Sequence, residues 1–224
     1  MTPLNEKAAE LVGMHVGDGT LYRTSRNLVW ELRGSLDEKE YYCATVKPLL
    51  ETLFNIPFDP KYRSGGKNGC FGIQTSKKEV TAFFLLYGFN SGRKTHTVRI
   101  PQYIFDAPHS IQLAFVRCLF DTDGCIRFER MNKQTLHTYP RIELSFASRI
   151  LRDNLQDLLT NLGFRCFVWG NAERGEYKLC LSGKEQAEKW FSLVKPNNTK
   201  HLNKYEFWRQ RGYYMPRSHN LVLC

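Results

Sequence analysis

The sequence predicts an α+β fold made by internal duplication, and three observations predict it. A helix–hairpin–helix–hairpin–helix order reads twice along the 224 residues. Matching residues in the two readings keep a nearly constant offset. Each reading also opens on an apolar helix with small residues four apart, closed by Asp-Gly. Duplication of one unit about a pseudo-twofold axis accounts for all three.

The first unit begins with a helix over 5–17. Asn5 can cap it, and Ala8, Leu11, Val12, His15 and Val16 recur at helical spacing. Among these apolar neighbours His15 is expected in the core. "TLYRT" and "NLVWELR" then read as strands, the second alternating Leu28, Trp30 and Leu32 against Val29, Glu31 and Arg33. A helix over 37–54 opening at Asp37, a hairpin of "FDPKYRS" and "GCFGIQT" around "GGKNG", and a helix over 77–87 complete the unit.

The second unit repeats that order. A helix over 109–123 ends at Gly124. "CIRFER" and "RIELSFA" are strands, 149–162 is a helix stopped by Gly163, "FRCFVW" and "YKLCLS" form a hairpin around "NAERG", and 184–194 is a helix ended before Pro196. Gly13, Gly17, Asp18 and Gly19 fall 105 positions before Cys118, Thr122, Asp123 and Gly124. Glu31 falls 112 before Glu143, the extra residues matching the long turn "MNKQTLHTYP", and Lys94 falls 106 before Lys200. The expected division is 1–100 and 101–224, joined by an anchored segment at about 88–108.

Composition narrows the function. Thirty-two basic residues against 22 acidic give +10, which points to an anionic partner, nucleic acid first. No apolar run approaches the ~20 residues that span a bilayer. "MTPLNEKAAE" lacks the pattern of a signal peptide, so an intracellular setting, cytoplasmic or organellar, is expected. Seven scattered cysteines without a CxxC pair read as reduced thiols, Cys118 and Cys166 as core.

Small residues at Gly13/Gly17 and Cys118/Thr122 would let the two opening helices pack closely, bringing Asp18 and Asp123 side by side. Carboxylates at two helix C-termini oppose both helix dipoles and each other. A hard divalent cation relieves both penalties.

"LVGMHVGDG" and "VRCLFDTDG" resemble the paired signature of the LAGLIDADG homing endonucleases in their single-chain, two-motif form. Val16 stands where the second motif has Asp121, and Arg117 is unusual in a packed motif helix and is expected to face outward. The resemblance implies a monomeric, site-specific endonuclease that cuts double-stranded DNA with Mg²⁺, leaving 3′ overhangs; Mn²⁺ or Ca²⁺ fits the same site. It implies Asp18 and Asp123 as catalytic metal ligands, with Gly17 and Thr122 beside them, and Lys94 and Lys200 as catalytic cations. It also implies two four-stranded antiparallel sheets forming a saddle over DNA, with the motif helices paired between them. Alternation then selects the reading residues. In the first repeat these are Thr20, Tyr22, Thr24, Arg26, Asn27, Glu31, Arg33 and Gln74. In the second they are Cys125, Arg127, Glu129, Arg141, Glu143, Ser145 and Lys178. Because the two sets differ, the target is expected to be asymmetric. An intron-RNA maturase or a non-cleaving regulator on the same scaffold is the alternative, with host intron RNA as partner. Met1 and the ending "HNLVLC" show no splice junction, so a free-standing or intron-encoded protein is expected rather than an intein.

Overall fold

The computed structural model describes residues 4–64, 69–131 and 135–215. The expected turn at 65–69 lies, except for Gly69, outside the described residues, as do 132–134 and the tail after Met215.

Helix α1 (Glu6–Val16) starts where Asn5 accepts the Ala8 N–H at 2.9 Å. Strands β1 (Thr20–Arg23) and β2 (Leu28–Gly34) follow. Ser35 opens the next helix; its N–H and hydroxyl both donate to Glu38 Oε2, at 2.8 and 3.0 Å. The 37–54 helix is observed as a 3₁₀ turn Leu36–Glu38, α2 (Lys39–Tyr41), a π turn Tyr42–Val46 and α3 (Lys47–Phe54) in one run. Pro48 explains the interruption: it has no N–H to continue the α pattern, and the Lys47 N–H bonds back to Tyr42 in the wider ring. Strands β3 (Lys61–Arg63) and β4 (Cys70–Thr75) and helix α4 (Lys78–Leu86) close the first repeat. A short helix, α5 (Gln102–Phe105), lies in the connecting segment.

The second repeat runs α6 (His109–Asp123), β5 (Gly124–Arg130), β6 (His137–Phe146), α7 (Arg149–Asn161), β7 (Phe167–Asn171), β8 (Glu176–Ser182) and α8 (Lys184–Leu193). Strand β6 starts four residues before "RIELSFA", because His137–Pro140 continue the pairing with β5. A further helix, α9 (Thr199–Arg211), was not expected from the sequence. Asn198 caps it by accepting the Lys200 N–H, and Gly212 at φ 75° ends it in the left-handed conformation.

The sheets have orders β1-β2-β4-β3 and β5-β6-β8-β7, all antiparallel. Glu31 lies opposite Thr20 and Gln74, and Glu143 opposite Cys125 and Cys180. The duplicated α+β fold is as the sequence predicts. One buried cluster, from Ala8 to Trp208, spans both repeats.

Helices α1 and α6 pack against each other at the centre. A side chain at Gly13 would run into the Phe115 carbonyl, and one at Gly17 into the Thr122 hydroxyl. The small-residue stripe therefore sets how closely the helices approach. Arg117 does not face outward. It is half-buried, donates to Glu10 Oε1 at 2.6 Å and to the Val194 carbonyl at 2.8 Å, and so ties α6 to α1 and to the end of α8. An arginine is tolerated here because the neighbouring helix supplies a carboxylate. His15 is buried as expected, accepting from Trp30 Nε1 at 3.2 Å and packed on Phe84 and Phe89. The six described cysteines are free.

Candidate metal and DNA site

The close approach of α1 and α6 brings Asp18 and Asp123 to the wall of one cavity, near enough for each to act on the other's ionisation. Asp18 remains exposed and Asp123 half-exposed, yet protein atoms crowd both. That crowding is the largest influence on each, and it pushes both carboxyls above the ordinary range. For Asp18, the charges of Asp123 and Glu38 add to the same direction. The pair lines a cavity of about 360 Å³, whose other walls are the end of α1, residues 92–95, and the turn from β6 into α7.

Lys94 projects into this cavity. Its Nζ donates to the carbonyls of Val16 at 2.8 Å and Gly17 at 2.5 Å, the exposed end of α1. Burial pulls its pKa down, and the charges of Asp123 and Asp18 oppose that. Lys200 is placed differently. Its Nζ lies 3.8 Å from Glu38 Oε1, and Lys200 lines a separate cavity with Asp37, Glu40 and Asn203. The carbonyl end of α6 is instead taken by Asn198, whose Nδ2 donates to the Asp121 carbonyl and to Glu38 Oε1, both at 2.9 Å. Asp121 is fully buried and accepts the N–H groups of Asn197 and Asn198 at 3.0–3.1 Å. Burial raises it to about 7, against the pull of those N–H groups.

In each sheet one face carries the core residues, such as Leu21, Trp30, Leu32 and Ile73 in the first. The opposite face carries Thr20, Tyr22, Glu31, Arg33 and Gln74 in the first sheet. In the second it carries Cys125, Arg127, Glu129, Arg141, Glu143, Ser145 and Lys178. Alternation fails at Thr24, Arg26 and Asn27. These form a tight turn in which Thr24 Oγ1 accepts the Arg26 and Asn27 N–H groups. Short polar side chains favour that turn over a longer strand. The face is already ion-paired: Arg33 holds Glu31, while Arg127 at 2.6 Å and Lys178 at 3.0 Å hold the buried Glu143.

The family model for a LAGLIDADG-like domain matches residues 110–195. A ribonucleoside-diphosphate reductase subunit alpha of Bacillus subtilis is 31% identical over 181 residues, which is 75% of this chain and 15% of that protein. A DNA polymerase of a Thermococcus species is 24% identical over 218 residues, which is 96% of this chain and 11% of that protein. The chain therefore spans less than a sixth of the length of these relatives. Among solved structures, variants of the homing endonuclease I-DmoI give a TM-score of 0.59 at 18% identity, over 86% of this chain and 97% of that one. A variant of I-SmaMI gives 0.63 at 11% identity, over 93% and 91%. Residues 110–195 form a LAGLIDADG-like domain, and the chain as a whole has the fold of these homing endonucleases. At these identities the likeness to the solved structures is one of fold.

Asp18 thus stands just past the Gly17 cap of α1, and Asp123 is the last residue of α6. The donor set fits a hard cation: two crowded carboxylates, both pushed toward protonation, would be relieved by a divalent charge. The carbonyl of Gly17 is engaged by Lys94, and the Thr122 hydroxyl donates to the carbonyls of Cys118 and Leu119 at 3.1 Å. Among the described residues no group of three His, Cys, Asp or Glu stands ready to hold a metal. A cation here would complete its shell with water and phosphate oxygens, as magnesium commonly does. Sequence reading missed Glu38 and Asn198. Glu38 could have been found from "SLDE", a capping pattern just past the second strand; Asn198 gave only its place before Lys200.

Proposed function

We propose that this chain is a site-specific, divalent-metal-dependent DNA endonuclease that cuts both strands of a long asymmetric target, with Mg²⁺ as the working ion, and leaves short 3′ overhangs. The observation that carries it is the Asp18–Asp123 pair sharing one cavity at the ends of two closely packed helices, between two sheets of different polar lining. A net charge of +10 suits a duplex partner. Similar folds bear on the same reading, since I-DmoI has been solved in complex with DNA and Mn and with DNA and Ca, and I-WcaI bound to its DNA recognition sequence. Relatives as unlike as a reductase and a polymerase match this chain over only 15% and 11% of their own lengths, which supports a mobile module over a part of either host activity. These matches lend no support to an intron-RNA partner.

Divalent ions bound here would supply charge neutralisation at the scissile phosphate and an activated water. The chain's residues do the rest. Asp18 and Asp123 bind the cation and fix the cut at the centre of the saddle. Lys94, held by two carbonyls, sits where it can stabilise charge developing on a phosphate oxygen. Lys200 has the same role for the other strand once its pairing with Glu38 is exchanged for substrate. The sheet faces position the duplex, each over about one helical turn, roughly 10 base pairs. One chain carries both halves and acts as a monomer.

The test is Mg²⁺-dependent cleavage of a randomised duplex library, run beside Asp123→Asn. Cleavage at one long asymmetric site by the parent alone is the expected result. A folded parent that binds nucleic acid and cuts nothing would leave the non-cleaving regulator.

A further inference from the structure

Strand β7 sets two large aromatic side chains on a face that is otherwise polar. Val168 and Leu179 are paired and turn toward the core, so Phe167 and Trp169 point the other way. Phe167 lies opposite Cys180 and Trp169 opposite Lys178, on the face that carries Glu143 and Arg127. They are 63% and 47% exposed. Their placement is not loose. The Lys178 ammonium sits 5.1 Å from the Trp169 ring centre and also bridges to Glu143 at 3.0 Å. The aromatic pair is thus wired to the ionic network of its own sheet. In the first sheet the outer strand β3 puts Lys61 and Arg63 on the matching face, opposite Gly72 and Cys70. One outer strand is cationic and the other aromatic.

We infer that Phe167 and Trp169 form an apolar reading site for thymine methyl groups in the major groove, at the outer end of the half-site covered by the second repeat. This rests on the DNA-endonuclease reading above. The basic residues around the pair, Arg127, Arg141 and Lys178, complement a phosphate backbone, which makes duplex DNA the occupant in preference to a protein. A strand in the major groove presents side chains to base edges, and the thymine C5-methyl is the one apolar group exposed there. Rings of this size lose water against a methyl group without needing a hydrogen bond, so they tell thymine from cytosine where an arginine would choose guanine. The two half-sites would then be read by different chemistry at their outer ends.

The experiment selects bound duplexes in Ca²⁺ from a library of about 40 random base pairs, wide enough for both half-sites. The intact chain is compared with a Phe167→Ala/Trp169→Ala double variant. The parent should enrich thymine at one or two positions near one end of its consensus, and the double variant should keep the rest of the consensus and lose those positions. The parent's selected duplex is then remade with uracil for thymine at those positions. Affinity of the unaltered parent should fall about four-fold per methyl removed, the value of one buried carbon. That arm needs no protein variant and stands if the double variant misfolds. Unchanged parent affinity for the uracil duplex, or thymines retained by a folded double variant, overturns the inference. A parent that enriches no sequence overturns the endonuclease reading with it. A clear parent consensus without the uracil effect overturns this inference alone.

Discussion

At the end of α1 a lysine ammonium sits on the last carbonyls; at the end of α6 an asparagine amide does. Lys94 donates to Val16 and Gly17, and its positive charge favours ionisation of both Asp18 and Asp123. Across the pseudo-twofold axis Asn198 takes the Asp121 carbonyl, and Lys200 leans toward Glu38. The backbone is duplicated and the chemistry is not. A cation at a helix C-terminus meets the dipole's negative end, and an amide meets it far more weakly. The two sides of the Asp pair therefore differ in the charge they offer a phosphate. The largest test of this difference is kinetic. Lys94→Met should slow cleavage about 10²–10³-fold, the scale for losing a fixed charge-stabilising donor. Lys200→Met should slow it about 10-fold and leave a nicked intermediate. Single-turnover cleavage of a duplex labelled on both strands separates the two. Equal losses would show that substrate binding draws Lys200 away from Glu38 and makes the sides equivalent.

The paired helices are asymmetric too. At matching positions α1 has Gly13 and α6 has Cys118, both buried. The added carbon of Gly13→Ala would meet the Phe115 carbonyl, a backbone atom with no rotamer to escape to. We expect a loss of about 3 kcal/mol, the upper range for overpacking, or roughly 6–12 °C in Tm for a chain of this size. Cys118→Ala opens a small space instead and should lower stability by about 1 kcal/mol. Thermal unfolding of both variants checks it; a Gly13→Ala protein as stable as the parent would mean the helices can part without penalty.

Asn198 makes a smaller but sharper contrast. It is fully buried and bonds Glu38 Oε1 and the Asp121 carbonyl. The position 106 residues earlier is Gly92, which has no side chain to do either. Asn198→Ala leaves a buried carboxylate and a carbonyl short of a donor, worth about 2 kcal/mol in chemical denaturation. Because it also frees Glu38 to pair with Lys200, it should depress cleavage of one strand more than the other. Uniform slowing of both strands would reduce Asn198 to a structural role.

What was legible in the sequence follows from what local pattern encodes. The Gly13/Gly17 and Cys118/Thr122 spacing is a property of one helix turn, so the central packing and the Asp pair could be read directly. The 112-residue offset from Glu31 to Glu143 fixed the strand register, because a slip of one would have turned every core residue outward. The misses are of another kind. Helix α9 has a mixed surface without a clean apolar stripe, so no periodic signal announced it. Arg117 looked exposed because its partner, Glu10, lies 107 residues away. Glu38, Asn198 and Lys200 meet only after the repeats fold together. Phe167 and Trp169 alternate like core residues, and alternation cannot say which face has a helix behind it.

The smallest effect concerns protons at the Asp pair, and it sets that pair against the buried histidines of the two repeats. Crowding raises Asp18 and Asp123 in the folded chain. A raised carboxyl contributes stability that is full below its unfolded pKa, near 3.9, and is lost as pH rises through the folded value. His15 and His201 work the opposite way. Burial lowers both to about 3, so their contribution is present at neutral pH and is lost as pH falls below about 6.5. The parent's own pH profile mixes the two, and the difference between parent and Asp18→Asn isolates the carboxyls. In EDTA that variant should gain on the parent by about 1 kcal/mol between pH 5 and pH 8, a modest figure because solvent reaches the mouth of the cavity. Adding Mg²⁺ should reverse the sign at pH 8, where the parent alone has two carboxylates to offer the ion and so gains the stability of binding it. If the variant gains nothing in EDTA, the ionised pair is already relieved by Lys94. The asymmetry of the two helix ends would then be enough to hold both charges without a metal.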